Sequence, residues 1–203
     1  PNYKIYTDGS CLYGRSRELA RAGWGVFYGA GSKHNCSYPL AGPVQSSYRA
    51  ELMALLHVIR TTAVHAIVMI DCKPVVNTFN AFINDGIAIG ASVAEADLWE
   101  KIIALIDHNN KRQVVAQWMP SHLDEDNKLA ARTKALKDGL VTIEDVQGNS
   151  AVDLLAKAGA KQHKAVGHLH AAACDRKTIA VLVQKMQALI WELDTDKVDP
   201  DRR

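Results

Sequence analysis

"YKIYTDGSC", residues 3–11, is the stretch on which the fold turns. Lys4 to Thr7 alternate polar and apolar, the period-two pattern of a strand. That strand runs straight into Asp8, and Gly9, Ser10 and Cys11 are expected to break it. A carboxylate at the end of a strand bound for a core is either a turn-former or the first member of a site completed further along the chain.

The elements that follow show what such a site could draw on. "GRSRELARAG" (14–23) is basic and loop-like, and "GWGVFYG" (23–29) is rich in aromatic and β-branched residues. Gly29, Gly31 and Ser32 make a turn from which "KHNCSYPL" (33–40) returns, so the first three strands form an antiparallel meander. In "SSYRAELMALLHVIRTT" (46–62), Ser46 or Ser47 is a candidate N-cap. Leu52, Leu55, Leu56 and Ile59 share one helical face, and Glu51 lies beside that stripe. "AIVMI" (66–70) is wholly apolar, as a strand buried on both faces should be, and it too ends in a carboxylate, Asp71. Helices are expected through 75–83 and 95–109, and a strand over 113–119 stopped by Pro120. A polar stretch with a short helix near 127–137 precedes a helix starting at Asn149, and an amphipathic helix covers 175–193.

Bulk properties narrow the class. A chain of 203 residues, 48% hydrophobic and 23% charged, can bury a sizeable core. No apolar run reaches membrane-spanning length and no signal segment opens the chain, so a cytoplasmic or nuclear, non-secreted protein is expected. Cys11, Cys36, Cys72 and Cys174 are scattered, which fits reduced thiols. The start at Pro1 suggests a piece of something longer. Residues 1–62 carry seven Lys/Arg against three Asp/Glu, whereas residues 63–110 carry two against six. A basic first third suits a polyanion or simply a solvated surface.

Four acids stand out by position: Asp8 and Asp71 at strand ends, Glu51 near an apolar helix face, and Asp153 before "LLA" in a late helix. Carboxylates brought together repel unless a cation holds them, and Mg²⁺ prefers oxygen ligands. Acids gathered at strand ends are a natural two-metal phosphoryl-transfer site.

The blocks "YTDGSC", "YRAELMAL", "IDCKPVV", "DLWEKI" and "GNSAVDLLAKAGA" occur in that order, and together they resemble the signature of type 1 ribonuclease H domains over residues 3 to about 162. The resemblance implies an α/β, RNase H-like three-layer fold: a mixed five-stranded sheet, its first three strands antiparallel, with helices on both faces. Asp8, Glu51, Asp71 and Asp153 match the four metal-binding acids. The implied activity is hydrolysis of the RNA strand of RNA–DNA hybrids with two Mg²⁺ ions, for which Mn²⁺ substitutes, leaving a 5′-phosphate and a 3′-hydroxyl. His122, in "MPSHLDED", falls where the family carries a mobile His that assists proton transfer or product release. The flanking glycines of that motif are replaced here by Ser121 and Leu123-Asp124.

Gly9, Ser10 and Cys11 match positions that read 2′-hydroxyls in the minor groove of the hybrid. Ser46 and Ser47 stand just before the R-A-E block, where family members often carry Asn and Gln, and Ser46 is a candidate phosphate contact. The basic, Trp-rich handle of many members is missing: residues 72–98 hold only Lys73 and no Trp. Replacement grip is sought in Arg15, Arg17 and Arg21, in Lys128, Arg132, Lys134 and Lys137, or in a fused or associated reverse transcriptase. Handle-less members are common beside reverse transcriptases, which suggests a retroelement-type domain.

The expected organisation is a catalytic domain over 1–165 with an insertion at 123–147, a helical extension over 166–194, and a disordered tail over 195–203. His163, His168, His170 and Cys174 cluster in sequence, but their spacing fits no standard zinc site. The competing functional class is a catalytically idle RNase H-like module that only binds nucleic acid or protein.

Overall fold

The computed structural model describes residues 3–109, 114–164 and 166–198. The chain divides into two compact units, Pro1–Lys164 and Ala165–Arg203.

In the first unit, five strands form one mixed sheet in the order β3-β2-β1-β4-β5: β1 Tyr3–Leu12, β2 Arg21–Phe27, β3 Cys36–Pro39, β4 Ala66–Ile70 and β5 Val114–Trp118. β1–β2 and β2–β3 are antiparallel; β1–β4 and β4–β5 are parallel. The expected sheet is therefore the observed one. Strand alternation sends Ile5, Val68 and Ile70 to a core shared with α1 (Ser47–Thr61), α2 (Lys73–Asp85) and α3 (Ala96–Asn109). Tyr6 and Met69 face the opposite side, where Val146 and Val152 of α5 (Ile143–Lys161) cover them.

Three expectations need correction. The first strand does not break at Gly9. β1 continues to Leu12, because its pairing with β2 runs from Tyr6↔Phe27 to Leu12↔Arg21. Only the parallel partner stops early, at Thr7↔Ile70. Asp8 is thus mid-strand, at the point where one neighbour has ended. Second, α5 begins at Ile143 rather than at Asn149, which is a buried residue inside the helix. Its start is a capping box: the Thr142 hydroxyl accepts from the Asp145 N–H, and the Asp145 carboxylate accepts from the Thr142 N–H. Third, the late helix, α6, spans Gly167–Val198 and so takes in the first residues of the expected tail; residues 199–203 lie outside those described.

The insertion forms a short 3₁₀ turn, Asp126–Lys128, followed by α4, Leu129–Lys137. Leu123, Ala135 and Val141 sink into the core on the α5 side, so the insertion is packed against the domain.

Candidate active site

The acid at the middle of β1 is placed by two close approaches. A Cβ on Gly9 would fall on the Glu51 nitrogen and 2.6 Å from the Ser47 carbonyl oxygen, so only glycine lets the first turns of α1 lie against β1 here. On the other side, Asp8 pairs with Gly25. A Cβ on Gly25 would lie 2.7 Å from Leu155 Cβ and 3.0 Å from the Val152 oxygen, so that glycine seats the α5 turn carrying Asp153.

α1 is held at both ends of its first turn. Ser46 is its N-cap, accepting from the Arg49 N–H at 3.1 Å. Arg49 forks onto Asp97 at 2.6 and 2.8 Å and also bonds Glu95, pinning α1 to the start of α3. The next residue but one, Glu51, then points inward: it is 4% exposed, and Asp8 is 8% exposed.

Asp8, Glu51 and Asp71 each bring a carboxylate oxygen within 4.8 Å of the others. Burial is the main force on all three; the charges of the others add to it for Asp8 and Glu51, whereas a hydrogen bond from Glu51 lowers Asp8 and Asp71. Asp8 is pushed up to about 7 by burial and then by the charges of Asp71 and Asp153, against hydrogen bonds from the Glu51 side chain and the Gly9 N–H. Glu51 is pushed well above the carboxylate range by burial, Asp8 and Asp71. Asp71 is raised by burial, although nearby His122 opposes the shift. Glu51 Oε2 is buried and finds no hydrogen-bond partner among the described residues. Three oxygen donors with an unpartnered buried oxygen suit a hard divalent cation, which would supply the missing positive charge.

Asp153 stands outside this tight group. It is partly exposed, and Lys157, one turn on, bonds it at 2.6 Å. Its charge nevertheless reaches Asp8. The i, i+4 spacing of this pair is visible in the sequence itself.

His122 is exposed, in the loop after β5, with a left-handed backbone (φ 54°). Its Nδ1 lies 3.5 Å from Glu125 Oε1. The adjacent Leu123 is 4% exposed, which anchors the loop directly beside the histidine. Gly9, Ser10 and Cys11 lie in β1 opposite Trp24, Gly23 and Ala22; Ser46 is a cap, and Ser47 is the exposed first residue of α1. Asp71 is steadied by Trp118, whose indole N–H donates to the Asp71 carbonyl at 3.0 Å, with the Lys73 ammonium 5.2 Å from the same ring.

Sequence profiles of RNase H match residues 1–161. The chain belongs to the RNase H family. Among similar proteins of this family, ribonuclease H of Schizosaccharomyces pombe is 42% identical over 59 residues, 29% of this chain and 22% of that protein. Ribonuclease H of Chlorobium phaeobacteroides is 32% identical over 113 residues, 50% of this chain and 73% of the other. Of solved structures, native prototype foamy virus protease–reverse transcriptase shares the fold at a TM-score of 0.57 and 18% identity, over 79% of this chain and 21% of that one. The solution structure of the PFV RNase H domain does so at 0.56 and 18% identity, over 79% of this chain and 96% of the domain. The chain therefore spans about a fifth of the length of the Schizosaccharomyces pombe relative and of the foamy virus protease–reverse transcriptase, but nearly all of an isolated RNase H domain.

His163, His168, His170 and Cys174 are not among the groups of three potential ligands found in the described residues. His163 bonds the Ala22 carbonyl at 2.8 Å. Among the described residues, only Asp8, Glu51 and Asp71 form a group of three potential ligands.

Proposed function

We propose that this RNase H-family chain is a metal-dependent endonuclease that hydrolyses the RNA strand of RNA–DNA hybrids to 5′-phosphate and 3′-hydroxyl products. The observation that carries the reading is the meeting of Asp8, Glu51 and Asp71, buried and mutually repelling, at one point of the sheet. A fold that keeps carboxylates at such a cost has a use for them when a cation is bound.

Asp8, Glu51 and Asp71 are the proposed ligands, and Asp153 completes the set from α5. Two Mg²⁺ ions bound there would ready a water for attack and stabilise the leaving 3′-oxygen. In the net reaction, water oxygen bonds to phosphorus, the bond from phosphorus to the 3′-oxygen breaks, and a proton ends on that oxygen. We assign the handling of that proton to His122. Its Nδ1 faces Glu125, which leaves Nε2 for exchange with the departing group.

Strand selection is assigned to Gly9, Ser10 and Cys11, along the part of β1 where β4 no longer pairs. Grip on the hybrid must come largely from outside residues 72–98, where Lys73 is the single basic residue. A foamy viral protease–reverse transcriptase of the same fold, at a TM-score of 0.54, has been solved in complex with RNA/DNA hybrid. A retroelement-type domain working beside a hybrid-holding partner is the setting we propose here.

The test is Mg²⁺-dependent cleavage of matched RNA–DNA, RNA–RNA and DNA–DNA duplexes, with Asp71→Asn as control. Cleavage confined to the RNA strand of the hybrid and lost in the variant is expected. Hybrid binding with no cleavage in Mg²⁺ or Mn²⁺ would replace this reading with that of an idle binding module.

A further inference from the structure

Helix α6 carries a surface that the proposed nuclease does not use. Ile179, Leu182, Met186, Leu189 and Leu193 recur at alternating spacings of three and four residues, and they are 54–62% exposed. In heptad terms these are a and d positions. Val183 and Ile190, 41% and 52% exposed, take the e positions and widen the stripe on one side. On the other side the g positions are charged: Lys185 and Glu192. A contiguous apolar helix face of this width in water marks an interaction surface.

The pattern specifies its occupant. We propose that α6 pairs antiparallel with α6 of a second copy of this chain. In an antiparallel pair, a residues pack against d residues, e faces e, and g faces g. With Met186 set against Leu189 of the other copy, Leu182 meets Leu193, and both layers repeat through the two-fold axis. The same register sets Val183 against Ile190, apolar on apolar, and Lys185 against Glu192, opposite charges, each twice. Between Leu182 and Leu193, one register thus satisfies all three kinds of position, with Ile179 lying beyond that overlap. Parallel pairing sets Lys185 beside Ile190, burying a charge against an apolar neighbour.

Charge along the helix agrees. Over residues 175–194, Asp175, Arg176 and Lys177 lie in its N-terminal half and Lys185, Glu192 and Asp194 in its C-terminal half, a net +1 against −1. Acids near a helix C-terminus oppose the helix dipole, and an antiparallel partner brings its basic side to meet them. The stretch 175–194 holds three bases and three acids, so it lacks the basic face that an anionic membrane surface would select. This inference is independent of the chemistry assigned to the acid cluster.

Sedimentation equilibrium on the full chain tests it. A dimer that dissociates on dilution is expected. Leu182→Asp and Leu189→Asp should give monomers with unchanged cleavage of a short hybrid and an unchanged circular dichroism spectrum. Lys185→Glu should weaken the dimer at least about tenfold, and adding Glu192→Lys should restore it. Restoration by the double swap separates an ordered antiparallel pair from unspecific hydrophobic association. A monomer at the highest soluble concentration overturns the proposal. So does a dimer indifferent to Lys185→Glu, or one in which the double swap gives no recovery.

Discussion

The Glu51 backbone lies so close to Gly9 that no side chain fits between them. Helix α1 and strand β1 therefore touch through backbone at the residue next to Asp8. Gly9→Ala must push α1 away and carry Glu51 with it. Overpacking of this kind costs roughly 1–3 kcal/mol. The expected result is a lower melting temperature together with a loss of cleavage far larger than the loss of stability explains. Equal hybrid affinity and full activity in Gly9→Ala would contradict this account of the glycine.

Removing one charge from the cluster should separate stability from activity. Burial and like charges disfavour the ionised Asp8 in the folded chain. Asp8→Asn is expected to stabilise the protein in chelator by about 1–2 kcal/mol. Cleavage should fall by roughly 10³-fold or more, the scale of losing a preorganised electrostatic group. Added Mg²⁺ or Mn²⁺ should raise the melting temperature of the parent chain and leave that of Asp8→Asn nearly unchanged. Thermal melts in chelator and in millimolar metal check both signs.

With Asp153 as a ligand in the proposed set, Lys157 would compete with the metal for it. Its ammonium, 2.6 Å from the carboxylate, supplies a positive charge that a metal ion would otherwise bring. Lys157→Ala should lower the Mg²⁺ concentration for half-maximal cleavage by about two- to fivefold, with little change in stability, since the pair is partly exposed. A rise in the Mg²⁺ requirement would mean that the lysine assists the site instead.

Asp145 is the structural counterpart of the clustered acids Asp8, Glu51 and Asp71, buried yet fully paired. Burial alone would raise its carboxyl. Lys4 Nζ at 2.7 and 2.9 Å, the Thr142 N–H at 2.8 Å and the Tyr6 hydroxyl at 2.9 Å outweigh burial and hold the carboxyl below its ordinary value. A carboxyl depressed in the folded state contributes stability above its unfolded value, near 3.8, and loses that contribution as pH falls through the lower folded value. Asp145→Asn should cost about 2–3 kcal/mol at neutral pH, the scale of breaking a buried charged network. It should also flatten the acid limb of a stability–pH profile below about pH 4, measured by denaturant unfolding.

Much of this protein was legible in the chain alone, because its evidence is local. Strand alternation at 3–7, the apolar run 66–70 and the stripe from Leu52 to Ile59 each announce an element through neighbouring residues, and the ordered blocks around Asp8, Glu51, Asp71 and Asp153 point to the family. A serine cap at 46 or 47, of which Ser46 is the one, and Asp71 at a strand end are legible for the same reason. The true start of α5 was also local, in Thr142 and Asp145, but a polar surrounding stretch concealed it. Tertiary structure alone decided the rest. That β1 continues through Asp8 depends on β2 pairing beyond the end of β4, which no property of "TDGSC" encodes. The work of Gly9 and Gly25 exists only once α1 and α5 lie against the sheet. Three of the four acids meet closely and the fourth stands off with Lys157, because distances between carboxylates are set by helix packing across the sheet. Residue identity supplied the charges; close packing of distant segments determined which of them must share a site.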